Sequence, residues 1–307
     1  MNRIIIDTDA GVDDAHSILL AFGHKNTKIE AFTTVSGNVH VEKTTANVLK
    51  ILDVVVEDVP VYRGCSMPLV KPPKYASFVH GEDGLGDCGI PVSKRKIEDK
   101  HAVRAIIDMA SAEPGALSIV AVGPLTNIAV ATMLDPSLPS KIKELTIMGG
   151  AVTGKGNDNV TAEFNIAFDP EAAHIVFDKW PMVRVVDWEV TVANGFDTEE
   201  IAQMHAIESP KAEFYKKISA KTIKVIKEYF HMDMIFTADG LAMAAAIEPS
   251  VIEHKQVKHL TVELRGESTR GMTVVDWTGM GGKKPNAEII TAFDKPLYLE
   301  MIKEGLS

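Results

Sequence analysis

The apolar positions of this chain alternate between two periods. Ile4-Ile5-Ile6 is a short uninterrupted apolar run, the pattern of a strand buried on both faces, and Ala15, Ile18, Leu19 and Phe22 then recur at helical spacing. Residues 28–35 predict a second strand, and Val41, Val48, Leu49, Leu52 and Val55 place an apolar face on a helix over 41–55. Residues 60–63 predict a short third strand. The segment 64–99 that follows is rich in glycine, proline and charge, and loops of that length in compact domains are usually functional or mobile.

A helix over 100–112 leads into a buried-strand pattern at 117–122, stopped by Gly123-Pro124, and a helix over 125–134 follows. Residues 144–148 predict another strand and 149–168 a loop rich in glycine and asparagine. Asp169-Pro170 starts a helix with a cap followed by proline at its first position, and 182–186 is a further strand. From 198 to 247 the pattern is helical, most clearly over 212–229. The tail alternates into strands near 251–264, 273–275 and 288–292.

Strands alternating with helices predict the α/β class: a single open, mostly parallel sheet flanked by helices, with some antiparallel strands toward the C-terminus. No repeat, low-complexity tract or linker divides the chain, so one domain is expected over 1–307. Ligands of such sheets bind beyond the carboxyl ends of the strands.

Composition narrows the partners. The 307 residues carry a net charge of −10, which argues against a nucleic-acid binder, since phosphate contact is driven by Lys and Arg. No apolar run approaches bilayer length and no targeting segment is evident, so no membrane association is expected. Cys65 and Cys88 are too few for a disulfide framework or a cysteine-built zinc site, and a cytoplasmic location is expected.

The densest chemistry follows the first strand. Asp7, Asp9, Asp13 and Asp14 lie within eight positions at a strand-to-helix junction. One aspartate there is an ordinary helix cap. Four carboxylates converging at one strand end repel each other unless protons or a cation compensate, and an oxygen-liganded hard metal suits them.

The run Asp7-Thr8-Asp9-Ala10-Gly11-Val12-Asp13-Asp14-Ala15 resembles the signature of the inosine/uridine-preferring nucleoside hydrolases. The resemblance continues in Gly37-Asn38, in Val122-Gly123-Pro124-Leu125-Thr126-Asn127-Ile128-Ala129, in Met148-Gly149-Gly150, in Glu163-Phe164-Asn165 followed by Asp169-Pro170-Glu171-Ala172-Ala173, and in the segment from Thr269 to Asp276. It implies a cytoplasmic salvage enzyme that hydrolyses the N-glycosidic bond of ribonucleosides with Ca²⁺ at the base of the pocket, assembled as a homodimer or homotetramer. By matched position it implies Asp9 as metal ligand and base for the attacking water. Asp14, Asp239 and the carbonyl of Val122 are the other metal ligands. Asp13, Asn38, Met148, Asn157, Glu163 and Asn165 line the ribose pocket, Asp239 also faces the substrate, and His80 matches a pocket-loop histidine. Asp7 is read as a support behind the site.

Several of these residues have plainer readings. Asp239 beside Gly240 fits a helix cap, Asn157 and Asn165 fit turns in a glycine-rich loop, and His80 fits a solvated loop position. His16, His101 and His174 lie on predicted helices and show no metal spacing.

The chain departs from the family at one position. The resemblance implies, for members that cleave inosine and uridine well, a histidine immediately before the last metal aspartate that protonates the departing base, and here that position is Ala238. Tyr229 and His231 are the nearest replacements in sequence, and His231 has the better intrinsic pKa for acid work near neutrality. The loss also admits an alternative, a weakly active or non-catalytic Ca²⁺-dependent binder of nucleosides or ribose. Asp7-Thr8-Asp9 after a strand is further similar to haloacid-dehalogenase-type phosphatases, although the later lysine motif and acidic pair of that family have no convincing counterpart.

Overall fold

The three isoleucines divide as a doubly buried strand requires. Ile4 and Ile6 enter one apolar cluster and Ile5 the other, so each face of the first strand faces its own layer of helices. This computed structural model describes residues 1–229 and 231–307.

In chain order the elements begin β1 (Asn2–Thr8), α1 (Val12–Gly23), β2 (Thr27–Thr34), α2 (Val41–Val55), β3 (Val61–Arg63) and α3 (Ser77–His80). Next come α4 (Ala102–Ala112), β4 (Ser118–Ala121), α5 (Thr126–Leu134), α6 (Leu138–Lys141), β5 (Glu144–Met148), α7 (Phe164–Phe168), α8 (Pro170–Lys179), β6 (Val183–Val186), α9 (Trp188–Ala193) and β7 (Phe196–Asp197). The chain finishes with α10 (Thr198–His205), α11 (Pro210–Tyr229), β8 (Met234–Ile235), α12 (Ala238–Ile247), β9 (Ile252–Val262), β10 (Thr273–Asp276), β11 (Ala287–Phe293) and α13 (Lys295–Leu306).

Among the described residues, nine strands form one sheet in the order β10-β9-β11-β6-β5-β4-β1-β2-β3. Strands β11 through β3 pair in parallel, while β9 pairs antiparallel with both β10 and β11. The expected class is therefore observed, with its antiparallel strands near the C-terminus. No helix among the described residues is long and apolar enough to cross a membrane.

Strand order reverses at β1. Strands β2 and β3 extend to one side and β4, β5 and β6 to the other, which opens a crevice beyond the carboxyl ends of β1 and β4. Asp7 is paired with Ala121 there, and the amide of Val122 donates to the Asp7 carbonyl at 2.8 Å. The amide of Val35 donates to the Thr8 carbonyl at 3.0 Å, bringing the turn after β2 to the same edge.

Besides the four-residue helices α3 and α6 and the two-residue β7, none of them predicted, four features differ from the sequence pattern. The loop expected over 149–168 ends in α7, a five-residue helix too short for a periodic signal. Helix α9 intervenes where none was predicted, and the helical stretch 198–247 is interrupted by β8, which pairs only with the two residues of β7. The tail closes in α13, not in strands alone. Its start signal was present, since Asp294 accepts from the Leu297 amide at 3.0 Å and Pro296 stands in the first turn.

Candidate active site

The end of β1 sets the site. Asp9 is 1% exposed, and its Oδ2 accepts the backbone N–H of Asn38 at 2.6 Å. Its Oδ1 is buried with no hydrogen-bond partner among the described residues. A Cβ on Gly37 would lie 2.0 Å from Asp9 Oδ2, and one on Gly123 3.0 Å from Oδ1, so both turns close around this carboxylate only because they lack side chains. An unpaired buried carboxylate oxygen is costly, and it marks a place for a cation, a proton or a water.

Asp14 sits three residues into the junction, in the first turn of α1. Its Oδ1 accepts from Thr8 Oγ1 at 2.5 Å, and its Oδ2 from the Gly11 amide at 2.8 Å and Asn38 Nδ2 at 3.1 Å. Asn38 thus ties the two carboxylates together, backbone to Asp9 and side chain to Asp14. Asp7 lies behind them: its Oδ1 accepts from Thr33 Oγ1 at 2.5 Å and Asn127 Nδ2 at 2.8 Å. Burial pushes Asp7 up to about 7, although both hydrogen bonds oppose the shift.

Asp239 reaches the same place from the first turn of α12 and is 3% exposed. Asp13, Asp14 and Asp239 each present a carboxylate oxygen, and the three atoms lie within 4.8 Å of one another. Burial holds Asp9 and Asp239 well above the usual carboxylate range. The charge of Asp14 adds to the shift at Asp9, and the charges of Asp13, Asp14 and Asp9 add to it at Asp239. Burial and the Asp13 charge raise Asp14 to about 6. This donor set fits a hard cation, whose charge would relieve the repulsion. The tight trio includes Asp13, which the sequence reading gave to the sugar, whereas Asp9 is coupled to it by charge.

The other wall comes from β5 and α7. Glu163 caps α7: its Oε1 accepts from the Asn165 amide at 2.8 Å, and its Oε2 from the amides of Gly150 at 2.9 Å and Ile166 at 3.2 Å. Burial raises Glu163 to about 7 against these three bonds. Asn165 Nδ2 donates to the carbonyls of Val122 and Met148, both at 3.2 Å, so it links the ends of β4 and β5. A carbonyl oxygen has two lone pairs, and the Val122 oxygen keeps one for a cation. Asn157 Oδ1 accepts the Phe164 amide at 2.8 Å, the turn role expected of it alone, and Asn157 also lines the cavity.

These groups open into one cavity of about 550 Å³, lined by Asp9, Asp13, Asn38, His80, Val122, Met148, Asn157, Glu163, Asn165 and Asp239. Asp14 stands directly behind that lining. His80 closes the cavity from α3, where its Nδ1 accepts the Val12 amide at 3.2 Å, which leaves the proton of a neutral ring on Nε2. Burial pulls His80 down to about 4.

His231 is not brought to this lining. Helix α11 ends at Tyr229, and the chain at His231 takes a left-handed turn with φ of 53°, leaving the residue exposed while Met232 returns to the wall. Tyr229, 65% exposed, packs edge-on to Phe78 at 5.0 Å. Nearness in sequence to Ala238 did not translate into nearness to the cavity.

The sequence places pocket walls in 75–87 and 215–234, and Tyr75, His80, Tyr215, Ile226 and Met232 do line the cavity, but Trp188, Val192, Ile235 and Phe236 of its apolar end lie outside those stretches. Trp188 and Phe236 line it with ring centroids 5.4 Å apart, joined by Val192, Ile226 and Ile235. Tyr215, 2% exposed, also lines the cavity and stacks at 4.7 Å on the buried His16. Trp188 and Val192 sit on the six-residue α9, Ile235 on the two-residue β8 and Phe236 just after it, elements too short for a periodic signal.

A family model described as inosine-uridine preferring nucleoside hydrolase matches residues 4–300. The chain belongs to this family. It is 34% identical over 307 residues to the inosine-uridine preferring nucleoside hydrolase of Crithidia fasciculata, covering 99% of this chain and 97% of that one. It is 36% identical over 313 residues to the enzyme of the same description from Leishmania major, with coverage of 99% and 97%. Among solved structures, an inosine-guanosine nucleoside hydrolase superposes with a TM-score of 0.93 at 34% identity, covering 100% of this chain and 99% of that one. A purine-preferring ribonucleoside hydrolase from Gardnerella vaginalis gives a TM-score of 0.93 at 31% identity, with coverage of 99% and 98%. This nucleoside hydrolase is therefore an enzyme of ribonucleoside hydrolysis.

Proposed function

We propose that this hydrolase releases the base from ribonucleosides in a Ca²⁺-dependent reaction in which Asp9 takes the proton of the attacking water. The observation that carries the reading is the bare, buried Oδ1 of Asp9, held in place through Oδ2 by the Asn38 amide. A base must have a free lone pair, and this oxygen is buried at the cavity with no hydrogen-bond partner among the described residues; Asp7 Oδ2, also without one, does not line the cavity. Its raised proton affinity, caused by burial and neighbouring carboxylates, suits it to accept a proton.

Asp9, Asp14, Asp239 and the Val122 carbonyl would hold the cation, with Asp13 close enough to share it or to accept from a ribose hydroxyl. When bound, Ca²⁺ would orient the nucleophilic water and acidify it. The remaining work falls to the protein. Glu163, Asn165 and Asn157 offer oxygens to the ribose hydroxyls, Met148 packs beside them, and Asn38 keeps Asp9 and Asp14 in register. Cleavage builds positive charge on the ribose ring, and the convergent carboxylates stabilise it. Ala238, which is 4% exposed at the start of α12, cannot protonate the base, so the departing base is activated by water, by another side chain or by stacking on an aromatic residue.

The test is release of reducing sugar across a panel of purine and pyrimidine ribonucleosides, with and without phosphate and with and without a Ca²⁺ chelator. Phosphate-independent release, lost with the chelator and restored by Ca²⁺, is expected. Release that requires phosphate, or none from any nucleoside, contradicts the reading. By the same resemblance we place the enzyme in the cytoplasm as a homodimer or homotetramer serving nucleoside salvage. Sedimentation checks the assembly, and a single species of monomer mass would contradict it.

A further inference from the structure

We propose that Trp188 selects the base and gives this enzyme a preference for purine over pyrimidine ribonucleosides. The inference rests on the nucleoside-hydrolase reading, because it assumes that the ribose occupies the carboxylate end of the cavity. That end is built from Asp9, Met148, Glu163 and Asn165, at or just beyond strand ends and at the start of α7. The base then projects toward the opposite wall, where α9, α11 and β8 contribute Trp188, Val192, Ile226, Ile235 and, just after β8, Phe236.

Apart from the indole N–H, none of these five side chains carries a hydrogen-bonding group; of the two α11 hydroxyl residues that also line the cavity, Thr222 donates to the Val79 carbonyl at 3.2 Å and Tyr215 stacks on His16, so these five side chains do not read the carbonyl and amino edges that distinguish one pyrimidine from another. The wall can discriminate by ring area. A fused purine covers more of an indole face than a single ring does, and stacking of a base on an aromatic side chain strengthens binding by roughly 5- to 150-fold.

Trp188 is also held in place before any ligand arrives. Its amide donates to the Gly150 carbonyl at 2.8 Å, while the Gly150 amide donates to Glu163. One glycine therefore joins the base wall to the ribose wall. On either side of Trp188, Asp187 caps α9 through the Val190 amide at 2.8 Å and accepts from the Val152 amide at 3.1 Å. Glu189 accepts from the Thr153 amide and hydroxyl and from the Lys155 amide. The Phe236 ring packs against the indole at 64°. A stacking surface anchored on both sides loses little entropy on binding.

The experiment compares kcat/KM for inosine and uridine in the wild type, Trp188→Ala and Trp188→Phe, and follows tryptophan fluorescence of the Asp9→Asn protein during titration with each nucleoside. The wild type is expected to favour inosine. Trp188→Ala should lose roughly 10-fold or more on inosine, mostly in KM, and less than about 3-fold on uridine, with Trp188→Phe intermediate. Inosine should quench the fluorescence of Asp9→Asn, and the quench should vanish in the Asp9→Asn, Trp188→Phe double variant. Equal losses on both substrates, a wild type that favours uridine, or a quench that survives Trp188→Phe would overturn the inference. If no nucleoside releases ribose yet inosine alone quenches Trp188, base selection stands and the hydrolase reading falls.

Discussion

The Asn38 amide donates to Asp9 Oδ2 at 2.6 Å, while Asp9 Oδ1 stays buried without a hydrogen-bond partner among the described residues. That contact depends on the absence of a side chain at Gly37, where a Cβ would lie 2.0 Å from the same Oδ2. Gly37→Ala must therefore move the Asp9 carboxylate or the 36–38 turn. The expected outcome is a fall in kcat of at least about 100-fold, the lower end of the effect of displacing a catalytic base, with the far-UV circular dichroism unchanged. Retained kcat in a folded Gly37→Ala protein would show that the position of Asp9 does not limit the reaction.

Acidity and the cation are linked. Asp7 and Asp14 have folded-state pKa values raised to about 7 and about 6 by burial, above the ordinary aspartate value of 3.8. The folded, metal-free state thus binds more protons than the unfolded state between these limits. Their contribution to stability is full below the unfolded pKa and is lost as pH rises through about 6 to 7. The metal-free protein should melt at a lower temperature at pH 8 than at pH 5.5. Millimolar Ca²⁺ should raise Tm more at pH 8, where it no longer competes with protons. A Ca²⁺ effect on Tm of equal size at both pH values would count against binding at these carboxylates.

Glu163 has two tasks, capping α7 and facing the cavity. Glu163→Ala removes the acceptor for the Gly150, Asn165 and Ile166 amides. A cap loss of about 0.5–2 kcal/mol is expected, visible as a lower Tm, together with a larger loss in kcat/KM than the stability change accounts for. Thermal melts paired with steady-state kinetics check this, and a stability loss with unchanged kcat/KM would reduce Glu163 to a cap.

Ala238 offers a gain-of-function test. It begins α12, lines the cavity and precedes Asp239. Ala238→His would place a protonatable ring immediately before Asp239, and a positioned acid contributes about 10²–10⁴-fold in favourable cases. A rise in kcat toward the lower end of that range is expected on nucleosides with poor leaving groups. An unchanged kcat in a folded Ala238→His protein would show that proton delivery to the base does not limit turnover.

The legible parts of this protein are those with long periods or dense local chemistry. Helix α2 and strand β5 fall where the apolar spacing put them, because a fifteen-residue amphipathic face and a fully buried strand leave no competing pattern. The carboxylates after β1 were readable because a strand end in a parallel sheet is where ligands gather. Asp239 was not readable from the residues themselves. One aspartate at a helix start looks like a cap, and only the family resemblance carried it to the cluster with Asp13 and Asp14. The Trp188 and Phe236 wall escaped because it is assembled from elements of two to twenty residues that meet only after folding. His231 stays off the cavity lining: two residues beyond the end of α11, a left-handed backbone leaves it exposed while Met232 rejoins the wall, a placement that proximity in sequence to Ala238 does not specify.

The most direct measurement of the central claim is the single-turnover rate of ribose release from inosine by the wild type and Asp9→Asn, both saturated with Ca²⁺ and free of phosphate. Asn keeps the shape of the side chain and its acceptor for the Asn38 amide but cannot take a proton at Oδ1. The account predicts ribose from the wild type and a loss of about 10²–10⁴-fold or more in Asp9→Asn, with Ca²⁺ still raising the Tm of the variant. Ribose release from Asp9→Asn at the wild-type rate would contradict it.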